Sequence, residues 1–206
     1  MKLAVVSDLH DSVEHLEVLR RSCVSADALV VCGDFTTFGD RERIQAMADA
    51  ISVEGKPCYF VIGNCDTMAV DEALDGWLNL HGRVLSLDGW LLAGIGGSLP
   101  CPGHTPSEFS EGAFERLLES IREECGSRAD RLILVCHQPP FGTGADLLPG
   151  GQHVGSRTLR AFIDRVQPAC CLAGHIHEAA SRSVVGRTVV LNPGAFKQGC
   201  VATLDL

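Results

Sequence analysis

Basic residues are scarce in this chain. Lys and Arg number 17 against 26 Asp and Glu in 206 residues, a formal net charge of −9 with histidine neutral. That deficit argues against a partner such as a nucleic-acid duplex or an anionic membrane surface, both of which call for excess positive charge. Long hydrophobic runs are missing as well. No apolar stretch approaches the ~18 residues of a transmembrane helix. The apolar stretch between Lys2 and Ser7-Asp8 is too short for a secretion signal and reads as a strand. Ten cysteines are present, yet none forms a Cys-x-x-Cys spacing, which argues against a structural zinc knuckle. Cys32, Cys58, Cys136, Cys170 and Cys171 fall inside apolar runs, where a free thiol packs as a small hydrophobe. Reduced cysteines in a cytoplasmic protein are therefore expected. No internal repeat, low-complexity tract or linker interrupts the chain, so residues 1–206 are expected to form a single domain.

What is present is a rhythm. Short apolar runs recur at residues 3–6, 29–32, 58–62, 91–95, 132–136 and 169–173, each followed by turn or polar residues. Runs of this length suit strands buried on both faces. Helical spacing lies between them. Asp11 can cap a helix carrying Val13, Leu16 and Leu19. Ile44, Met47, Ala48 and Ile51 share one helix face. Phe114, Leu117, Leu118 and Ile121 follow a Ser110 cap and precede Gly126. Leu159, Phe162, Ile163 and Val166 run from a Ser156 cap to a stop at Pro168. This alternation predicts an α/β architecture with mostly parallel central strands. Residues 180–185, 187–191 and 200–204 read as strands without an intervening helix, with a tight turn at Gly186-Arg187 between the first two. The Gly- and Pro-rich residues 96–108 and 139–155 read as long loops, which in a small domain are usually functional.

Ionisable residues fall where the strands end. Ser7-Asp8-Leu9-His10, Gly33-Asp34, Gly63-Asn64-Cys65-Asp66, His137 and Gly174-His175-Ile176-His177 each follow an apolar run. In open α/β sheets that edge binds ligands. One histidine after one strand is ordinarily structural, but five coincident deliveries point to a shared site. Asp8 with His10, and His175 with His177, are two apart, so in extended backbone each pair points one way. Two Asp, one Asn and four His form an oxygen–nitrogen donor set without thiolate, suited to Mn²⁺, Fe or Zn²⁺. Seven side chains exceed the needs of one ion and suit two, held ~3.5–4 Å apart by a shared carboxylate.

In this order the blocks resemble the calcineurin-like metallophosphoesterase family, most of all its compact bacterial and archaeal branch related to cyclic-AMP phosphodiesterases. The resemblance implies a four-layered α/β/β/α sandwich. It also implies that Asp8, His10 and His177 hold one metal, that Asn64, His137 and His175 hold the other, and that Asp34 bridges them. Asp11 and Asp66 match no ligand position and read as supporting or capping carboxylates. The implied activity is a two-metal phosphohydrolase of small phosphodiesters, with a metal-bridging hydroxide formed at neutral pH. Phosphomonoesterase activity is the alternative, and a non-catalytic scaffold of the same fold the rival from another class. Mn²⁺ is the expected ion, with Fe, Zn²⁺ or Ni²⁺ also suited. Most of the family carries His where this chain has Cys65, so the proton donor to the leaving group is open. His153, in a glycine-rich loop, is a candidate to reach the substrate alongside Asn64 and His137. Asn192-Pro193-Gly194 reads as a turn.

Overall fold

In the computed structural model, which describes residues 1–206, the apolar runs form two sheets. The chain runs β1 (Lys2–Val6), α1 (Leu16–Val24), β2 (Ala28–Cys32), α2 (Arg41–Ile51), β3 (Cys58–Val61), β4 (Leu78–Asn79), β5 (Val84–Leu87), β6 (Trp90–Ile95) and α3 (Glu111–Cys125). It continues through β7 (Leu132–Cys136), α4 (Arg157–Val166), β8 (Cys170–Leu172), β9 (Ser181–Val185), β10 (Thr188–Asn192) and β11 (Ala202–Asp205). The first sheet has the order β11-β1-β2-β3-β4 and the second β5-β6-β7-β8-β10-β9. Central pairs are parallel, and the antiparallel pairs β1–β11, β5–β6 and β9–β10 lie toward the sheet edges.

Alternation of side chains along the strands sorts the core into three layers. Leu3, Val5, Val30 and Val61 meet Leu92, Ile133, Val135 and Leu172 between the sheets. The opposite face of the first sheet packs on Leu19, Ile44, Met47 and Ile51 of α1 and α2. The opposite face of the second packs on Phe114, Leu118, Leu159 and Phe162 of α3 and α4. The result is an α/β/β/α sandwich. Three of the four helices start on a side-chain cap, at Asp40, Ser110 and Ser156.

The first helix departs from the expectation. It begins at Leu16, with His15 at its N-cap and no side-chain cap. Val13 is exposed. His10 and Asp11 adopt left-handed backbone at φ 46° and 66°, which no helix start accommodates. The Asp11 carboxylate is used elsewhere, accepting from Thr37 N–H at 3.0 Å and pairing with Arg43 at 2.7 Å. Two further differences concern strands. The β5–β6 hairpin turns at Asp88-Gly89, both with positive φ. The last expected strand, now β11, leaves the hairpin of β9 and β10 and closes the first sheet beside β1. No helix is long and apolar enough to cross a membrane.

Candidate metal centre

Five strands release their chains at one edge of the sandwich. From the first sheet, β1 leads to Asp8 and His10, β2 to Asp34, and β3 to Asn64. From the second, β7 leads to His137, and β8 to His175 and His177. The convergence does not come from extended backbone. Asp8, His10, Asp34 and His175 all have φ between 46° and 70°, an unusual conformation that clusters at functional sites. Backbone hydrogen bonds between the strand ends hold these turns: Asp8 N to Gly33 O at 3.0 Å and His10 N to Asp34 O at 3.1 Å. Glycine permits the close approach. A methyl group on Gly174 would stand 1.8 Å from Ser7 Oγ, and one on Gly63 2.0 Å from Asp34 Oδ1.

The side chains meet in two groups joined by one carboxylate. In the first, His177 Nε2 lies 3.1 Å from His10 Nε2 and 3.2 Å from Asp8 Oδ1. In the second, His137 Nε2 lies 2.8 Å from Asn64 Oδ1, and the His137 and His175 rings are 5.0 Å apart. Asp34 Oδ2 stands between them, 3.6 Å from His10 Nε2 and 3.4 Å from His137 Nε2.

Neighbouring groups fix the orientation of these donors. His137 Nδ1 is 2.7 Å from the Cys32 carbonyl oxygen and donates to it, so a neutral ring presents the Nε2 lone pair to the centre. His10 Nδ1 is 3.1 Å from Thr37 Oγ1. Asp8 accepts from His175 N–H at 3.1 Å. Asp34 Oδ1 accepts from Cys65 N–H at 2.8 Å. Asp66, fully buried, accepts from the N–H groups of Phe35, Thr36 and Gly63, and so ties the β2 end to the β3 end.

The electrostatics are those of a buried acid–base pair. Burial opposes charge on both Asp34 and His137, but their attraction outweighs it. Asp34 is held well below the usual carboxylate range by His137, with help from His10 and Cys65 N–H. His137 is raised to about 9, chiefly by Asp34. Burial, reinforced by His137, pushes His175 down to about 4. Burial and the charge of Asp34 hold the Cys65 thiol well above its ordinary value.

The donor set fits divalent ions. Neighbouring ligand atoms around an ion bound at ~2.0–2.2 Å stand roughly 3–3.5 Å apart, as those of His10, His177 and Asp8 do here; His175 joins no such cluster and borders the second group through its ring. Asp8, His10 and His177 form one cluster with metal-ligand spacing, and Asp8, Asp34 and His137 another. Cys65 is an addition that the sequence motif undersold. Its sulfur joins His10 and Asp34 in a third such cluster. Cys101 is a second one, with its sulfur 3.7 Å from His175 Nε2.

His153 is not brought to this centre. Its Nδ1 lies 2.8 Å from Asp146 Oδ1, and its ring packs near Phe141. Fully buried Asp146 also accepts from Gly142, Thr143 and Gly155 N–H, so His153 belongs to the internal lacing of that loop. Asn192 is equally internal: its amide donates to Ala145 and Ile176 carbonyls, and its oxygen accepts from Gly194 N–H.

Comparison with known proteins bears on the family and the fold. Residues 1–205 match the sequence profile of the calcineurin-like phosphoesterase superfamily domain. The chain is 34% identical over 203 residues to an uncharacterized protein of Methanocaldococcus jannaschii, MJ1162, a match covering 94% of this chain and 88% of that one. In structure it is similar to TT1561 of Thermus thermophilus, with a TM-score of 0.72, 18% identity, and 99% and 98% of the two chains covered. It is also similar to a dimetal phosphatase from Danio rerio, with a TM-score of 0.67, 12% identity, and 98% and 91% covered. These two structural likenesses concern the fold.

Proposed function

Because this chain belongs to the calcineurin-like phosphoesterase superfamily, and is thereby a metal-dependent phosphoesterase, we propose that it hydrolyses small phosphodiesters at a centre of two divalent ions. Asp8, His10 and His177 would hold one ion, and Asn64, His137 and His175 the other, with Asp34 shared. The observation that carries this reading is the position of Asp34 Oδ2, within 3.4–3.6 Å of a histidine nitrogen from each group. Mn²⁺ is the ion expected from the family resemblance, and the mixed oxygen–nitrogen donors suit Fe, Zn²⁺ and Ni²⁺ as well. When bound, the ions supply Lewis acidity toward the phosphoryl oxygens and activate water for attack.

The chain's own residues do the rest. Hydrogen bonds from His137 Nδ1 to Cys32 O, between His10 Nδ1 and the Thr37 hydroxyl, and from His175 N–H to Asp8 orient the donors before any ion arrives, so little reorganisation is needed on binding. Loading an ion at His137 requires loss of its proton, since a ligating imidazole is neutral. The diester reading is supported by the cavity beside His175, which no Lys or Arg lines and which therefore suits an uncharged second ester group. The cationic side chain near the centre is Lys197, close enough to His10 to act on it.

The test is hydrolysis by the Mn²⁺-loaded protein of bis(p-nitrophenyl) phosphate against p-nitrophenyl phosphate. The expected result is a higher kcat/KM for the diester. A preference for the monoester, or no turnover of either with Mn²⁺, Fe²⁺, Zn²⁺ or Ni²⁺, overturns the proposal.

A further inference from the structure

The two loops picked out by their Gly and Pro content enclose a cavity of about 410 Å³, within the range of small-molecule sites. One wall is residues 99–102 and the other is Leu148, Gln152 and Val154, with His175 and Ile176 completing it. The cavity therefore opens against a proposed metal ligand. Its lining is largely apolar: Leu99, Pro100, Pro102, Leu148, Val154 and Ile176. None of its ten lining residues is Asp, Glu, Lys or Arg. Gln152 adds an uncharged amide at the exposed rim. By contrast, the depression between α3 and α4 is edged by Glu115, Glu119 and Arg165 and touches no residue of the centre.

This cavity is preformed. Gln138, the residue after His137, spans it from below. Its oxygen accepts from Leu99 N–H at 3.0 Å, and its amide donates to Val154 O at 3.1 Å. One buried side chain thus clamps both walls and seats them on the strand that delivers His137. Each wall is also laced internally. Glu108 accepts from Cys101 N–H, Thr105 N–H and the Thr105 hydroxyl, and Asp146 organises the other loop. A cavity held open in this way binds without first having to order its walls.

We propose that this cavity selects substrates by the organic group esterified to phosphorus, and that it takes an uncharged, mainly apolar group of ring size. The inference rests on the phosphoester reading above and adds the substrate class. A ring gains by leaving water for these walls. A second phosphate or a carboxylate would be stripped of water there with no cation to meet it.

The experiment measures binding by calorimetry to the metal-loaded full chain. The probes are methylphosphonate, benzylphosphonate and 2-carboxyethylphosphonate, which share the anion and differ in the appended group. Benzylphosphonate is expected to bind at least about tenfold tighter than methylphosphonate, and 2-carboxyethylphosphonate no tighter. Occupancy is located on Cys101, which lines the cavity: benzylphosphonate should slow its alkylation several-fold and leave Cys200 unaffected, as read by peptide mass spectrometry. Leu148→Arg should remove the benzyl gain, favour the carboxyethyl probe and leave methylphosphonate binding unchanged. Gln152→Arg, at the exposed rim, should shift preference the same way without a buried change. If methylphosphonate binds and the benzyl group adds nothing, the cavity proposal falls while the phosphoesterase reading stands. If no phosphonate binds the loaded protein, both fall.

Discussion

Asp34 and His137 meet across the two sheets, Oδ2 to Nε2 at 3.4 Å, with 3% and 0% of their side chains exposed. In the metal-free protein this is an ion pair, and it sets a pH dependence. The pKa of His137 is raised from 6.5 to about 9. Its contribution is fully present below the unfolded value and is lost as pH rises through about 9. The loss amounts to about 3 kcal/mol, since one pKa unit is ~1.4 kcal/mol. Asp66, raised to about 7 by burial and by Asp34, acts in the same sense from its unfolded value of 3.8 up to 7. Chelated protein should therefore lose roughly 5–10 °C of Tm between pH 6.5 and 9.5. The loaded protein, in which His137 is already neutral, should lose much less. Differential scanning fluorimetry across that range checks both.

Removing the shared carboxylate should be more damaging than removing any other donor. Asp34→Asn is expected to lower activity by at least about 10²-fold and to reduce bound metal from two ions toward none. It also leaves His137 buried without its partner, which costs about 3–5 kcal/mol in the metal-free protein. Metal analysis with melting curves separates the two effects. Two ions at full occupancy with undiminished turnover would contradict the bridging role.

Cys65 stands where a histidine is usual, and burial together with Asp34 keeps its thiol protonated. A group held so far above neutrality gives up its proton poorly. Rates should therefore fall steeply as the leaving group becomes more basic, by as much as the ~10²–10⁴-fold that general acid catalysis typically supplies. Although its sulfur stands beside His10 and Asp34, a protonated thiol is a poor ligand, so Cys65→Ala should keep both ions and change aryl-diester turnover little. The check is a leaving-group series for wild type and variant. A shallow slope in wild type that steepens in Cys65→Ala would make Cys65 the acid.

Packing at the strand ends leaves no room for a methyl group on Gly174, which would sit 1.8 Å from Ser7 Oγ and 2.9 Å from Asp8 Oδ2. Gly174→Ala should cost about 1–3 kcal/mol and weaken metal binding by moving Asp8. Adding Ser7→Gly should restore part of the stability. Melting temperature and metal stoichiometry for the single and double variants test this.

The strand-end deliveries could be read from sequence because each is a local event, an apolar run followed by a polar residue. So could the caps at Ser110 and Ser156, which act within one turn. Pairing between distant strands leaves no such local mark. Nothing near residues 200–204 says that they join β1 rather than the adjacent hairpin. The β5–β6 turn did carry a signal, Asp88-Gly89, that strand-by-strand reading passed over. The left-handed turns at Asp8 and His10 are held by backbone bonds to Gly33 and Asp34, just beyond β2, which the sequence of β1 does not contain. Sequence placed His153 in the right loop, but its partner Asp146 is seven residues away, and only the folded loop brings the two together.

The donors are split between the sheets, with Asp8, His10, Asp34 and Asn64 carried by one and His137, His175 and His177 by the other. Neither sheet owns a complete site. Any sliding of one sheet over the other would separate Asp34 from His137 before a single strand unzipped. A bound pair of ions would thus act as a rivet through the sandwich. Loading should slow amide exchange in the buried strands β2 and β7 together, although they lie in different sheets, and should do so to a similar degree in both.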